Sequence, residues 1–233
     1  TEYPLGINVL AIKDEKEQDL ITNDLVSMFV KLYWEEIFWP RIQDYFRNAV
    51  LLLMEQPEWG TLVEIVRLFT DPAFQKIKLK NVQNPVVRAR REKTYGSMGD
   101  REKQEMIPYF QSKFGPLTTT PVLRNIIGQP ESSFDVATAM NDGKFIIINL
   151  SKGKMGEINS NLLGLLMVGQ VKLAAFRRAE QAEHDRKDHF MYIDEFQNFV
   201  TPDIESILSE ARKYRLWLVL WHQYMKQLYS EWL

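Results

Sequence analysis

The sequence predicts an α/β protein: a large all-helical subdomain followed by a partial parallel sheet. Two observations carry that prediction. Through the first ~130 residues the apolar positions recur at three- and four-residue intervals, the period of an amphipathic helix. After residue 130 come three continuous apolar runs, Lys144 to Asn149, Phe190 to Ile193 and Leu216 to Trp221, separated by helical stretches. Continuous apolar runs of this length suit strands buried on both faces, and strand–helix–strand alternation suits a parallel sheet with crossover helices.

Taken in order, Tyr3-Pro4-Leu5-Gly6 reads as a turn and Ile7 to Leu10 as a short strand. Residues 1–13 are expected to belong to the α/β core, 14–130 to the helical subdomain and 131–233 to the remaining half of the core. Leu20, Ile21, Leu25, Met28, Phe29 and Leu32 make one helical stripe; Ile42, Tyr45, Phe46, Ala49, Val50 and Leu53 make a second. Thr61 with Glu64 forms a capping-box start, and Asp71-Pro72 opens a further helix. Residues 84–114 read as two helices around a loop marked by Gly96 and Gly99. Thr120-Pro121 starts one more helix, with Gly128 expected to end it in a left-handed conformation. A long buried helix is expected from about Asn159 to Arg178, and a helix from Thr201 to about Tyr214.

Composition narrows the function classes. The 233 residues are 45% hydrophobic, enough for a substantial core, and the net charge of -2 creates no global field toward nucleic acid or anionic membrane. Cysteine is absent, which removes disulfides, thiolate catalysis and Cys-based zinc sites. The three histidines, His184, His189 and His222, do not stand at zinc-binding spacing. No apolar run reaches the ~20 residues of a membrane helix, so a cytoplasmic protein is expected, peripheral to a membrane only through partners or segments outside this sequence. Thr1-Glu2-Tyr3-Pro4 has no signal-like character and reads as an abrupt start.

The sharpest chemical signal is the apolar run His189 to Ile193 ending in Asp194-Glu195. In open parallel sheets, ligands bind beyond the carboxyl ends of the strands. An aspartate there suits a magnesium ion, and a glutamate beside it suits a base that orients an attacking water. Gln223, after the last strand, is placed to sense a γ-phosphate. The stretch Asn149-Leu150-Ser151-Lys152-Gly153-Lys154-Met155-Gly156 has the order of a phosphate loop but not its pattern, because G-x-x-x-x-G-K-[ST] requires a hydroxyl where Met155 stands. Lys152 and Lys154 are candidates for contact with DNA or a neighbouring subunit, or for an ordinary solvated turn. Arg88, Arg90 and Arg91 divide between a solvated helix face and a phosphate-contacting patch. Arg212, Lys213 and Arg215 either offset a helix terminus or include an arginine finger. Trp34, Trp39 and Trp59 read as core or interface anchors.

Phe190 to Phe199, Ile207 to Tyr214, Trp221 to Tyr224, Leu123 to Pro130 and Ile148 to Gly153 together resemble the C-terminal half of FtsK/HerA-superfamily DNA-pumping ATPases, above all the type IV secretion coupling proteins of TraG/TraD type. The likeness is densest over Leu123 to Leu228, and it implies that the partial parallel sheet is RecA-like. It implies Asp194 as the Walker B magnesium ligand, Glu195 as catalytic base, Gln223 as sensor and Arg212 as a finger acting on the next subunit of a ring, a hexamer when complete. It implies ATP and magnesium as cofactors, and DNA, ring subunits and secretion or relaxosome proteins as partners. The Walker A lysine and hydroxyl that the family carries, expected before Thr1, are not in these 233 residues. Two other readings stand beside this one: a non-catalytic helical module that docks a DNA-processing or secretion partner, and a magnesium nuclease using Asp194 and Glu195 with Glu205 or Glu210.

Overall fold

The computed structural model describes residues 3–33, 40–56, 58, 60–90, 100–199, 201 and 210–222, with only the backbone described for Val86, Arg90 and residues 100–103. The chain divides into two compact units, residues 1–134 and 135–233.

The first unit is helical. Its described helices are α1 (Lys16–Tyr33), α2 (Pro40–Met54), α3 (Glu64–Thr70), α4 (Pro72–Asn81), α5 (Pro85–Arg90), α6 (Asp100–Thr119) and α7 (Pro121–Ile127). Both expected stripes face inward, and they meet in an aromatic pile. Phe29 of α1 packs against Phe46 of α2 and Phe114 of α6, with ring centroids 4.8 and 4.9 Å apart. Phe69 of α3 stacks on Phe110 of α6 at 4.2 Å. Centroids this close add about 0.5–1.5 kcal/mol per pair beyond the area buried.

Local signals explain several helix starts. Asp71 accepts from the Phe74 amide at 3.0 Å and Pro72 fills the first turn of α4, as the sequence predicts. At α3 only half of the capping box forms: the Glu64 side chain takes the Thr61 amide at 2.9 Å, while the helix itself begins at Glu64. Gly128 ends α7 with φ -98°, not in the left-handed region. What requires glycine there is space, because a Cβ would press on the Arg124 carbonyl and on Val63.

Residues 7–10, expected as a strand of the α/β core, form no strand and pack within the helical unit. The buried Asn8 fixes them: its amide donates to Ser132 Oγ at 2.9 Å, and its Nδ2 donates to the carbonyls of Pro130 at 2.8 Å and Gly60 at 3.2 Å. A polar group taken out of water must find such partners.

The second unit is mixed. It contains α8 (Val136–Asp142), α9 (Lys152–Met155), α10 (Glu157–Arg177), β1 (His189–Ile193) and β2 (Leu216–Leu220). α8 went unread in the sequence. Asp135 caps it by accepting from the Ala137 and Thr138 amides, and Gly143, with φ 73°, closes it in the left-handed conformation. α10 matches its expected span within two residues at its start and is buried along most of its length. β1 and β2 pair in parallel, with His189 opposite Leu216 and Ile193 opposite Leu220.

The expected strand from Lys144 to Asn149 is not one. The segment has no ladder partner among the described residues, and Phe145 and Ile147 are 99% and 92% exposed. Among the described residues the sheet therefore has two strands, without the expected one from Lys144 to Asn149. Its faces are unequal. Phe190 stacks on Trp217 across the strands at 6.4 Å, and that face also leaves Tyr192 and Trp221 exposed. Ile193 and Leu216 on the other face are buried. Of the helix expected over 201–214, residues 202–209 lie outside the described ones, and Ala211–Tyr214 form a 3₁₀ turn.

Candidate functional site

Asp194 and Glu195 stand at the carboxyl end of β1, as their position after an apolar run predicts. The strand pairing runs one step past the strands: the Trp221 amide donates to the Ile193 carbonyl at 2.9 Å and the Phe196 amide to the Trp221 carbonyl at 3.0 Å. These bonds hold Asp194-Glu195 beside the end of β2.

The backbone turns sharply at Glu195, whose φ of 52° and ψ of 43° lie in the left-handed region. A side chain with a Cβ costs about 1–2 kcal/mol there. Strained residues held by their surroundings cluster at functional sites. Here the surroundings are specific. The Glu195 amide donates to Asp194 Oδ1 at 2.9 Å, and Gln197 Nε2 donates to Glu195 Oε2 at 2.5 Å. The turn 196–198 is seated by Phe199, whose ring approaches Gly164 of α10 so closely that no Cβ fits between them.

Three unpaired polar atoms lie at this edge. Eight buried side-chain atoms among the described residues lack a hydrogen bond, and three of them are Gln197 Oε1, Asn198 Nδ2 and His222 Nδ1. Buried polar atoms are nearly always paired, so these three leave unused hydrogen-bonding capacity beyond the two strand ends. An open concavity of about 420 Å³ adjoins it, lined by Tyr192, Ile193, Asp194, Val219 and Trp221.

The other candidates divide between this edge and elsewhere. Lys152 of α9 joins the edge, donating through Nζ to Glu157 at 2.9 Å and to Asn198 Oδ1 at 3.4 Å. Lys154 is exposed, and Gly156, with φ 82°, ends α9. Arg212 precedes β2, so the five residues of that strand, about 16 Å, separate it from the acidic end. Its guanidinium lies 5.6 Å over the Trp217 ring. It cannot reach a ligand at Asp194 of its own chain. Arg88 lies exposed on α5 in the helical unit, remote in sequence from this edge. Gln223, Arg91, Glu205, Trp34, Trp39 and Trp59 lie outside the described residues, as does the side chain of Arg90. The sequence reading missed Gln197, Asn198 and Gly164; the polar pair Gln197-Asn198 set between Phe196 and Phe199 was the signal for the first two, and Gly164 had none.

Magnesium suits the exposed Asp194 carboxylate, because that ion is held by one or two carboxylates together with phosphates and retained water. No group of three or more His, Asp or Glu among the described residues makes an all-protein metal site. A nucleotide's phosphates fit less well. Within residues 149–156, Lys152–Met155 form the short α9, the Lys154 and Met155 amides turn back to the Ser151 carbonyl and the Gly156 amide to the Lys152 carbonyl, and the Lys152 ammonium is engaged by Glu157 and Asn198, so those groups are not free to cradle a phosphate. No helix among the described residues is long and apolar enough to cross a membrane. No family model, curated protein or solved structure matches the chain.

Proposed function

We propose that the α/β unit carries the hydrolytic edge of a nucleoside-triphosphatase that drives DNA movement in conjugation or secretion, and that the phosphate-binding loop is supplied by a polypeptide segment outside this sequence. The observation that carries the reading is the set of orphaned polar atoms around Asp194-Glu195 at the end of a parallel strand pair. Asp194 would hold magnesium through water. Glu195, fixed by Gln197, would orient a water and take its proton. Arg212, a strand's length from its own chain's acidic edge, would act on a neighbouring subunit. Lys152 and Asn198 would line the approach. The role given to Gln223 rests on the resemblance alone.

A second reading, a non-catalytic docking module that uses the α/β unit where the sequence suggested the helical one, is favoured by one specific observation: Phe145, Ile147, Tyr192 and Trp221 expose apolar surface of the kind partners cover. Equilibrium binding of ATP with magnesium to the 233-residue chain tests the proposal. Weak binding that is indifferent to Asp194→Ala is expected; tight, Asp194-dependent binding by this chain alone contradicts the need for an external loop. In a chain joined to the missing loop, a docking module loses no hydrolysis on Glu195→Gln.

A further inference from the structure

Charge is segregated along this chain. Residues 72–91 contain six cations, Lys76, Lys78, Lys80, Arg88, Arg90 and Arg91, and no Asp or Glu. The whole chain has 29 basic and 31 acidic residues, which leaves 23 basic against 31 acidic outside that stretch. The stretch forms α4 and α5.

The structure sorts these cations by role. Lys78 is structural: it pairs with Glu64 at 2.9 Å and sits 5.2 Å from the Phe74 ring. On the opposite side of α4, the exposed positions Ala73, Lys76, Ile77 and Lys80 recur at helical spacing and form one face. Lys76 and Lys80 have no ion pair among the described residues. Arg88 is held beside them, donating through Nη2 to the carbonyls of Leu79 at 3.1 Å and Lys80 at 3.5 Å. A cation near a helix terminus offsets the dipole, but that role needs only the last turn. It does not account for Lys76, nor for twenty residues without an acid.

We propose that Lys76, Lys80 and Arg88 form a binding site for the phosphate backbone of nucleic acid. Lysines and arginines clustered on one face are the electrostatic footprint of such binding, and phosphate contacts carry no base preference. An acidic protein partner fits less well. A standard protein interface buries about 800 Å² on each side around an apolar centre. On this face Ile77 is the only large apolar side chain exposed among the described ones. The site rests on charge and geometry in the helical unit and does not depend on the ATPase reading.

The test is fluorescence anisotropy of a labelled 30-base-pair duplex of arbitrary sequence with the 233-residue chain, without nucleotide, across 50–200 mM KCl. Three phosphate contacts give a log–log salt slope of about -2.7, roughly a 40-fold loss of affinity over that range. Lys76→Gln/Lys80→Gln, which alters only exposed side chains, should make the slope about 1.8 shallower with an unchanged circular dichroism spectrum. The control Lys13→Gln/Lys187→Gln, at exposed positions elsewhere, should leave the slope near the parent's. No duplex binding at 50 mM, or equal slopes for parent and α4 variant, overturns the proposal. So does displacement of the duplex by poly-glutamate at lower concentration than by unlabelled duplex, which would assign the face to an acidic protein.

Discussion

The guanidinium of Arg178 donates to the Tyr214 carbonyl at 3.1 Å, across 36 positions of sequence. The same Nη1 donates to the Lys187 carbonyl at 2.9 Å, and Nε donates to Asn141 Oδ1 at 3.1 Å. One side chain, 1% exposed, therefore ties the entries of both strands to the end of α8. It sets the register at the edge opposite Asp194-Glu195.

Arg178→Met keeps an apolar stem and removes every donor, leaving the Lys187 and Tyr214 carbonyls short of a partner. Bonds to a charged group contribute about 1.5–3 kcal/mol each and are not additive, so a loss of about 2–4 kcal/mol from the α/β unit is expected. Urea unfolding measures it; a change below about 0.5 kcal/mol would contradict the clamp.

Stability of the same unit should depend on His189. Burial first, and the neighbouring Arg178 charge second, hold its pKa below the ordinary value of 6.5. The folded state thus favours neutral imidazole, and the unfolded chain binds the proton more readily. The contribution is fully present above pH 6.5 and is lost as pH falls through the folded value. Unfolding midpoints followed from pH 7.5 to pH 5 should decline, and His189→Gln should flatten that decline. An unchanged slope in the variant would show that other groups carry it.

The left-handed backbone at Glu195 gives a stability test independent of activity. Glu195→Ala and Glu195→Gly both lose the bond from Gln197, but only glycine relieves the conformation. Glu195→Gly should be the more stable of the two by about 1 kcal/mol. Alanine equal to or better than glycine would place the strain elsewhere.

Gly164 and Phe199 form a close-packed pair under the turn that follows Glu195. Gly164→Ala should cost about 1–3 kcal/mol by overpacking, and Phe199→Leu in the same chain should return much of it. Additive losses in a double-mutant cycle would mean that the contact does not seat the turn.

Much of the local structure was legible because it is local. The Asp71-Pro72 start of α4, the two apolar stripes around Phe29 and Phe46, and the long buried helix α10 all follow from spacing of a few residues. The apolar run Lys144 to Asn149 looked like the other strands, yet a strand exists only with a ladder partner, and composition does not record whether one is present. Gly128 was read as a left-handed cap, although close approach to Arg124 and Val63 is what excludes a side chain. Asp194 and Glu195 were legible from the strand ending. Their setting was not, because Lys152 meets Asn198 across 46 positions and Phe199 meets Gly164 across 35, and no local pattern encodes either contact.

The central claim, that Asp194-Glu195 is the hydrolytic edge of a nucleotide site completed from outside this sequence, is tested most directly by phosphate release from the chain extended through the residues encoded immediately before Thr1. ATP turnover is predicted, with Glu195→Gln retaining ATP binding and lowering the rate by a factor of about 10²–10⁴. No turnover in the extended chain, or turnover indifferent to Glu195→Gln, would contradict the account.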